Sequence, residues 1–179
     1  MTAPVYVIAP LETSAADRER IEAIRRAHDP QQPIVPPHVT LVFGARLATP
    51  ERVLAQAAEA AARWAPIDIV LDRAEVERGA ATGRAHVFLM PGVGETPLRA
   101  LHAALHAGAL AGDLNPAFAF APHITVAALP TAPEASALAA DLNASGLSIS
   151  GRLTRLDVVA FDGRTLAPLG AFSLSGPRD

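Results

Sequence analysis

"PPHVTLVF", residues 36–43, sets a histidine and a threonine two positions apart in an otherwise apolar stretch, directly after two prolines. Nearly the same phrase returns as "APHITVAA" at residues 121–128, 85 positions later. With six His and 16 Pro in 179 residues, a Pro-His-x-Thr match is expected by chance about 0.03 times, so two copies mark a self-similar chain. Each copy reads as a strand with alternating faces. His38 and Thr40 share one face, with Val39, Leu41 and Phe43 on the other. His123 and Thr125 share a face, with Ile124 and Val126 opposite. Phe43 and Phe120, which flank the motifs, are expected in the core.

The surroundings of the two phrases also match. Each is followed by a Pro-started, alanine-rich helix: "TPERVLAQAAEAAARWA" after the first, "TAPEASALAADLNASG" after the second. "PVYVIAP" reads as a strand and "TSAADRERIEAIRRAH" as a capped helix with early acids and late bases. "IDIVLDRAEVER", a "GAATG" turn and "RAHVFLM" form two more strands, and "GETPLRALHAALHAGAL" a further helix ending near Gly108 or Gly112. "LSISGRLTRLDVVAFDG" and "TLAPLGAFSLSG" close the chain as a hairpin around Asp162-Gly163. The expected order is β-α-β-α-β-β-α-β-α-β-β. The expected fold is α+β: a single bilobal domain over 1–179, with antiparallel sheets, helices on their outer faces and a pseudo-twofold relation between lobes. In that arrangement the two His-x-Thr strands line one central cleft.

Composition narrows the function. A net charge of −3 with dispersed Lys and Arg argues against gripping long duplexes. The absence of cysteine removes disulfides, thiolate metal sites and a cysteine nucleophile. No phosphate-loop signature supports ATP use. "MTAPVYVIAP" lacks the charged start of a signal peptide, and no apolar run nears the roughly 18 residues that span a bilayer. A cytoplasmic monomer without membrane association is the expectation.

Two imidazoles facing one cleft suit phosphoryl transfer. One, neutral, takes a proton from an attacking water or hydroxyl; the other, protonated, gives one to the leaving oxygen. The threonine hydroxyls can donate to non-bridging phosphate oxygens. Tyr6, the single tyrosine, is a candidate to stack a base or touch the phosphate. Arg84 and His86 share a strand face, where the guanidinium could clamp a phosphate. His102 and His106 have helical metal-site spacing but no acidic neighbour on the helix, so no metal is expected there. No cofactor is expected. A non-catalytic module that binds nucleotides or RNA ends in the same cleft is the alternative.

"PHVTLVF" and "PHITVAA" resemble the paired His-x-Thr-x motifs of the 2H (two-histidine) phosphoesterase superfamily, within it the bacterial 2'-5' RNA ligase/cyclic phosphodiesterase-like proteins. The resemblance covers nearly the whole chain, although "VFGAR" stands where "FLG" often follows the first motif. It implies a bilobal fold and opening of 2',3'-cyclic phosphates on nucleotides or RNA ends without a metal, with 2'-5' ligase-type activity in some members. It also implies His38, Thr40, His123 and Thr125 as the catalytic set.

Overall fold

The computed structural model describes residues 3–78, 83–117 and 119–177. The predicted "GAATG" turn lies outside the described residues except for Gly83. In chain order the elements are β1 (Val5–Thr13), α1 (Ala15–His28), β2 (His38–Ala45), α2 (Pro50–Arg63), β3 (Ile67–Arg78) and β4 (Ala85–Val93). There follow α3 (Glu95–Leu105), a 3-10 turn (Gly108–Asp113), β5 (Ile124–Leu129), α4 (Ala132–Ala144), β6 (Ile149–Leu153), β7 (Arg155–Phe161) and β8 (Leu166–Ser173).

Local chemistry sets the helix ends. Ser14 caps α1 by accepting from the Asp17 N–H, and Thr131 and Glu134 form a reciprocal capping box at α4. Thr49 and Pro50 open α2 as expected, though the threonine hydroxyl makes no capping bond. α3 stops at Leu105, earlier than its alanine-rich pattern suggests, and the chain tightens into the 3-10 turn after Gly108. The predicted long strand over 147–163 is two strands. It breaks at Thr154, whose hydroxyl donates to Glu12 and whose carbonyl accepts from the Leu174 N–H. There the chain crosses from one half of the sheet to the other. The closing hairpin turns at Gly163, where φ is 95°, and Asp162 accepts from the N–H groups of Arg164 and Thr165.

All strand pairings are antiparallel. Their order is β2-β5-β4-β3-β6-β1-β7-β8, and β1 also pairs with β2, so six of the strands close a ring. The sheet divides into halves of matching order, β2-β1-β7-β8 and β5-β4-β3-β6. They join where β2 meets β5 through Val39 and Ile124, and where the end of β1 meets β6. Val39 and Ile124 are the middle residues of the two motifs, so the pseudo-twofold axis passes between them.

One apolar cluster runs behind both halves. It includes Val7 and Leu11 of β1, Val39 and Leu41 of β2, Ile124 and Val126 of β5, and Leu98, Leu101 and Leu105 of α3. Alanines 57, 60 and 61 of α2 are buried in it, which lets that helix approach the sheet closely. A smaller cluster of Ile8, Val35 and Val159 sits on the opposite face of the first half, with Tyr6 and Leu166 against it.

Candidate active site

The Val39–Ile124 pair places His38 opposite Thr125 and Thr40 opposite His123, because directly opposed residues of an antiparallel ladder project to the same face. Val39 and Ile124 are buried in the core, so all four polar side chains turn the other way. The two imidazoles are close enough to interact: charge on His123 pushes the His38 pKa down.

Both rings are held identically. His38 Nδ1–H donates to the Pro36 carbonyl at 2.8 Å, and His123 Nδ1–H donates to the Ala121 carbonyl at 2.7 Å. A carbonyl oxygen only accepts, so Nδ1 carries the hydrogen and Nε2 is left to exchange a proton with a substrate. The repeated proline now has a reason. Each accepting carbonyl belongs to the residue before Pro37 or Pro122, and a residue before proline is confined to extended backbone. The carbonyl is therefore fixed beneath the ring. Neither threonine hydroxyl has a hydrogen-bond partner among the described residues, which leaves both available to a ligand.

Burial is the largest influence on both histidines and pushes each pKa below the ordinary imidazole value, opposed in part by the carbonyl bonds. The next neighbours differ. The Arg25 cation pushes His38 further down, with Asp29 opposing it. The Glu77 carboxylate raises His123, with His86 opposing it. Arg25 is 2% exposed, pairs with Asp29 at 3.0 Å and donates to the Val35 carbonyl at 2.8 Å. It thereby pins the 29–36 segment that leads into the first motif.

A bulge sits at the same offset in each motif strand. Ile8 pairs with Thr40 and Val7 with Val42, skipping Leu41; Phe88 pairs with Thr125 and Val87 with Ala127, skipping Val126. Leu41 and Val42 are both buried, as are Val126 and Ala127. This corrects the expected place of Phe43. Simple alternation puts it in the core, but the bulge turns it to the cleft side, where it is 80% exposed. Phe120 packs on the core, as expected.

The shared register makes Ile8 the counterpart of Phe88 and Tyr6 the counterpart of His86. Tyr6 meets Phe43 edge to face at 5.3 Å and Phe161 at 6.3 Å. With Ile8, Gln31 and Val35 they line a pocket beside His38 and Thr40. Burial raises the Tyr6 pKa against the opposing charge of Arg46, so its hydroxyl stays protonated. In the other half, Phe88 stacks on His123 with centroids 3.7 Å apart and planes at 16°, and His86 lies parallel to Phe88 at 6.0 Å. Arg84 shares that strand face, but its Nη1 donates to the Ala128 carbonyl at 2.6 Å, bracing β5. Phe88 escaped the sequence reading although it continues the 84, 86, 88 alternation. Arg25 escaped it because nothing in a helical arginine announces burial. A larger hollow at the outer end of β1 and β2, lined by Pro4, Ala45, Arg46 and Pro50, holds no imidazole or hydroxyl.

His102 and His106 lie together at the end of α3, with ring centroids 4.3 Å apart. Each spends its Nδ1–H on a backbone carbonyl, of Leu41 and His102 respectively. No helix among the described residues is long and apolar enough to cross a membrane.

The fold has solved relatives. TT0787 of Thermus thermophilus aligns with a TM-score of 0.63 at 20% identity, covering 98% of this chain and 100% of that one. Escherichia coli LigT complexed with 3'-AMP aligns with a TM-score of 0.60 at 19% identity, covering 98% and 99%. Kluyveromyces marxianus Usb1 aligns with a TM-score of 0.58 at 9% identity, covering 94% and 99%. These likenesses show the fold. No curated protein sequence matches the chain. The model of the 2'-5' RNA ligase superfamily matches residues 12–165, and the chain belongs to that superfamily of phosphoesterases and RNA ligases.

Proposed function

We propose that this protein is a phosphodiesterase that opens 2',3'-cyclic phosphates of nucleotides or RNA ends by two-histidine acid-base catalysis, without a metal. The observation that carries the reading is the matched pair of imidazoles across Val39–Ile124, each with Nδ1 tied to a carbonyl and Nε2 free. One Nε2 takes a proton from water as its oxygen attacks phosphorus. The bond from phosphorus to the 3' oxygen breaks, and the other imidazolium protonates that oxygen, leaving a 2'-phosphate. Thr40 and Thr125 donate to the non-bridging oxygens, where the transition state holds its negative charge. The same ring opening, with a 5'-hydroxyl in place of water as the nucleophile, forms a 2'-5' phosphodiester and is the route to ligase-type activity.

Tyr6 and Phe43 offer aromatic surface for a nucleobase beside the first motif. His86 and Arg84 border the second motif and supply polar contacts to the far side of the substrate. E. coli LigT has been solved with 3'-AMP, ATP and NADP+, and nucleotides are the ligand class that these surfaces suit. The test is hydrolysis of a panel of 2',3'-cyclic nucleotides in excess chelator. Turnover is expected, reduced about 10²- to 10⁴-fold by His38→Ala or His123→Ala. Wild-type rates in those variants, or complete loss with chelator, would defeat the proposal. Tight binding without turnover across the panel would assign the cleft to a binding module instead.

A further inference from the structure

The bulge in β2 leaves Leu41 without a partner on β1. On the other side, continuing the Val39–Ile124 register puts Pro122 opposite Leu41, and proline has no N–H to give. The carbonyl is satisfied from a helix: His102 of α3 donates its Nδ1–H to it at 2.7 Å. The same ring lies flat on Phe120, with centroids 3.9 Å apart and planes at 4°. Arg99, one turn earlier on α3, donates to the Phe120 carbonyl. Phe120 stands three residues before His123. One half-buried side chain thus touches the strand just after Thr40 and the segment just before His123, where the two halves of the sheet meet.

We infer that His102 is a positioning residue that fixes the two motifs relative to each other. The inference rests on the reading of the cleft as a phosphodiester site, because it concerns the alignment of His38 and His123 for one displacement. Its bond to Leu41 holds the bulge that sets the direction of β2 beyond Thr40. Its stack on Phe120 holds the approach to Pro122 and the Ala121 carbonyl that orients His123. Losing the bond leaves a buried carbonyl unmet and frees the bulge to shift, and a shift of about 1 Å in such a geometry costs on the order of 10²-fold in rate.

Three substitutions separate the bond from the ring. His102→Asn places an amide N–H at the distance of Nδ1 and keeps the bond. His102→Gln carries its amide one bond further and loses it. His102→Phe keeps a ring on Phe120 but has no donor. Two readouts are needed: kcat and KM for a 2',3'-cyclic nucleotide, and the imidazole ¹H–¹⁵N signals of His38 and His123. The Phe and Gln variants should lose about tenfold or more in kcat with KM within about twofold; both should move the His38 signal, and Gln, which gives up the stack as well, that of His123. The Asn variant, which keeps the bond and gives up the stack, should lose less kcat than the Gln variant, leave the His38 signal in place and move that of His123. Equal behaviour of all three variants, whether at wild-type level or equally impaired, would overturn the positioning role. Wild-type protein that turns over no cyclic phosphate would defeat the proposed function instead. The ring signals would still decide whether His102 sets the geometry.

Discussion

The two halves of the cleft share a backbone plan and differ in what surrounds the imidazole. In the first half, His38 stands between an apolar pocket with an aromatic edge and the buried Arg25–Asp29 pair. In the second, His123 lies on the face of Phe88, near the Glu77 carboxylate. A cation beside His38 favours its neutral form, whereas a carboxylate and a π-face beside His123 favour the charged form. On the proposed function, duplication supplies two equivalent proton-transfer groups, and divergence of the neighbours biases them in opposite directions. Motifs alone do not carry that bias, because His-Val-Thr and His-Ile-Thr are nearly interchangeable.

The comparison breaks most visibly if one imidazole is dispensable. Combining His38→Ala with His123→Ala should cost no more than about the larger single loss, since groups that act in one step are not additive; rates that multiply would mean that the two act separately. Next in size is Arg25→Met, which strands a buried Asp29 carboxylate and should cost about 3–5 kcal/mol of stability by denaturant unfolding. An unchanged unfolding midpoint would show that the pair does not hold the 29–36 segment. Histidine titrations read by NMR sharpen the contrast of neighbours. Arg25→Met should raise the His38 pKa, whereas Glu77→Gln should lower that of His123. Shifts in the same direction would refute the opposed biases. Smaller still is the split between the two aromatic surfaces. Phe43→Ala should raise KM several-fold (about 1 kcal/mol) with little change in kcat, and Phe88→Ala should act mainly on kcat.

The depressed histidine values also predict how stability depends on pH. The fold favours neutral His38, His102 and His123, so their contribution is complete above the unfolded imidazole pKa of about 6.5. It is lost as pH falls from there to the folded values, because the unfolded chain takes up protons that the buried rings do not. Thermal unfolding scans from pH 7.5 to 5 should show the melting point fall, and the fall should be shallower in His38→Ala.

Much of this was legible in the sequence, and what was not has identifiable causes. Self-similarity revealed the pairing of the motifs, and period-two alternation gave the faces of His38, Thr40, His123 and Thr125. Proline and threonine punctuation placed the starts of the helices at Pro50 and Ala132. Alternation then failed at one residue: a bulge adds a single position and sends everything beyond it to the other face, and neither Leu41 nor Val126 marks it by residue type. The break at Thr154 escaped for a related reason, since a strand that changes sheet halves keeps its apolar pattern. For His102 the sequence shows only a local feature, its four-residue spacing from His106. Its bond to Leu41 is set by tertiary packing across 61 positions.

The most direct test of paired acid-base action is the pH dependence of kcat/KM for a 2',3'-cyclic nucleotide, which reports the ionisations of the free enzyme. The proposed mechanism requires one histidine neutral and the other charged, and burial holds both below the ordinary value. A narrow bell is therefore expected, with its maximum below pH about 6.5. In His38→Ala or His123→Ala one limb should disappear from the residual rate. A flat profile between about pH 5 and 8 would contradict the assignment of the two imidazoles as the acid and the base of this cleft.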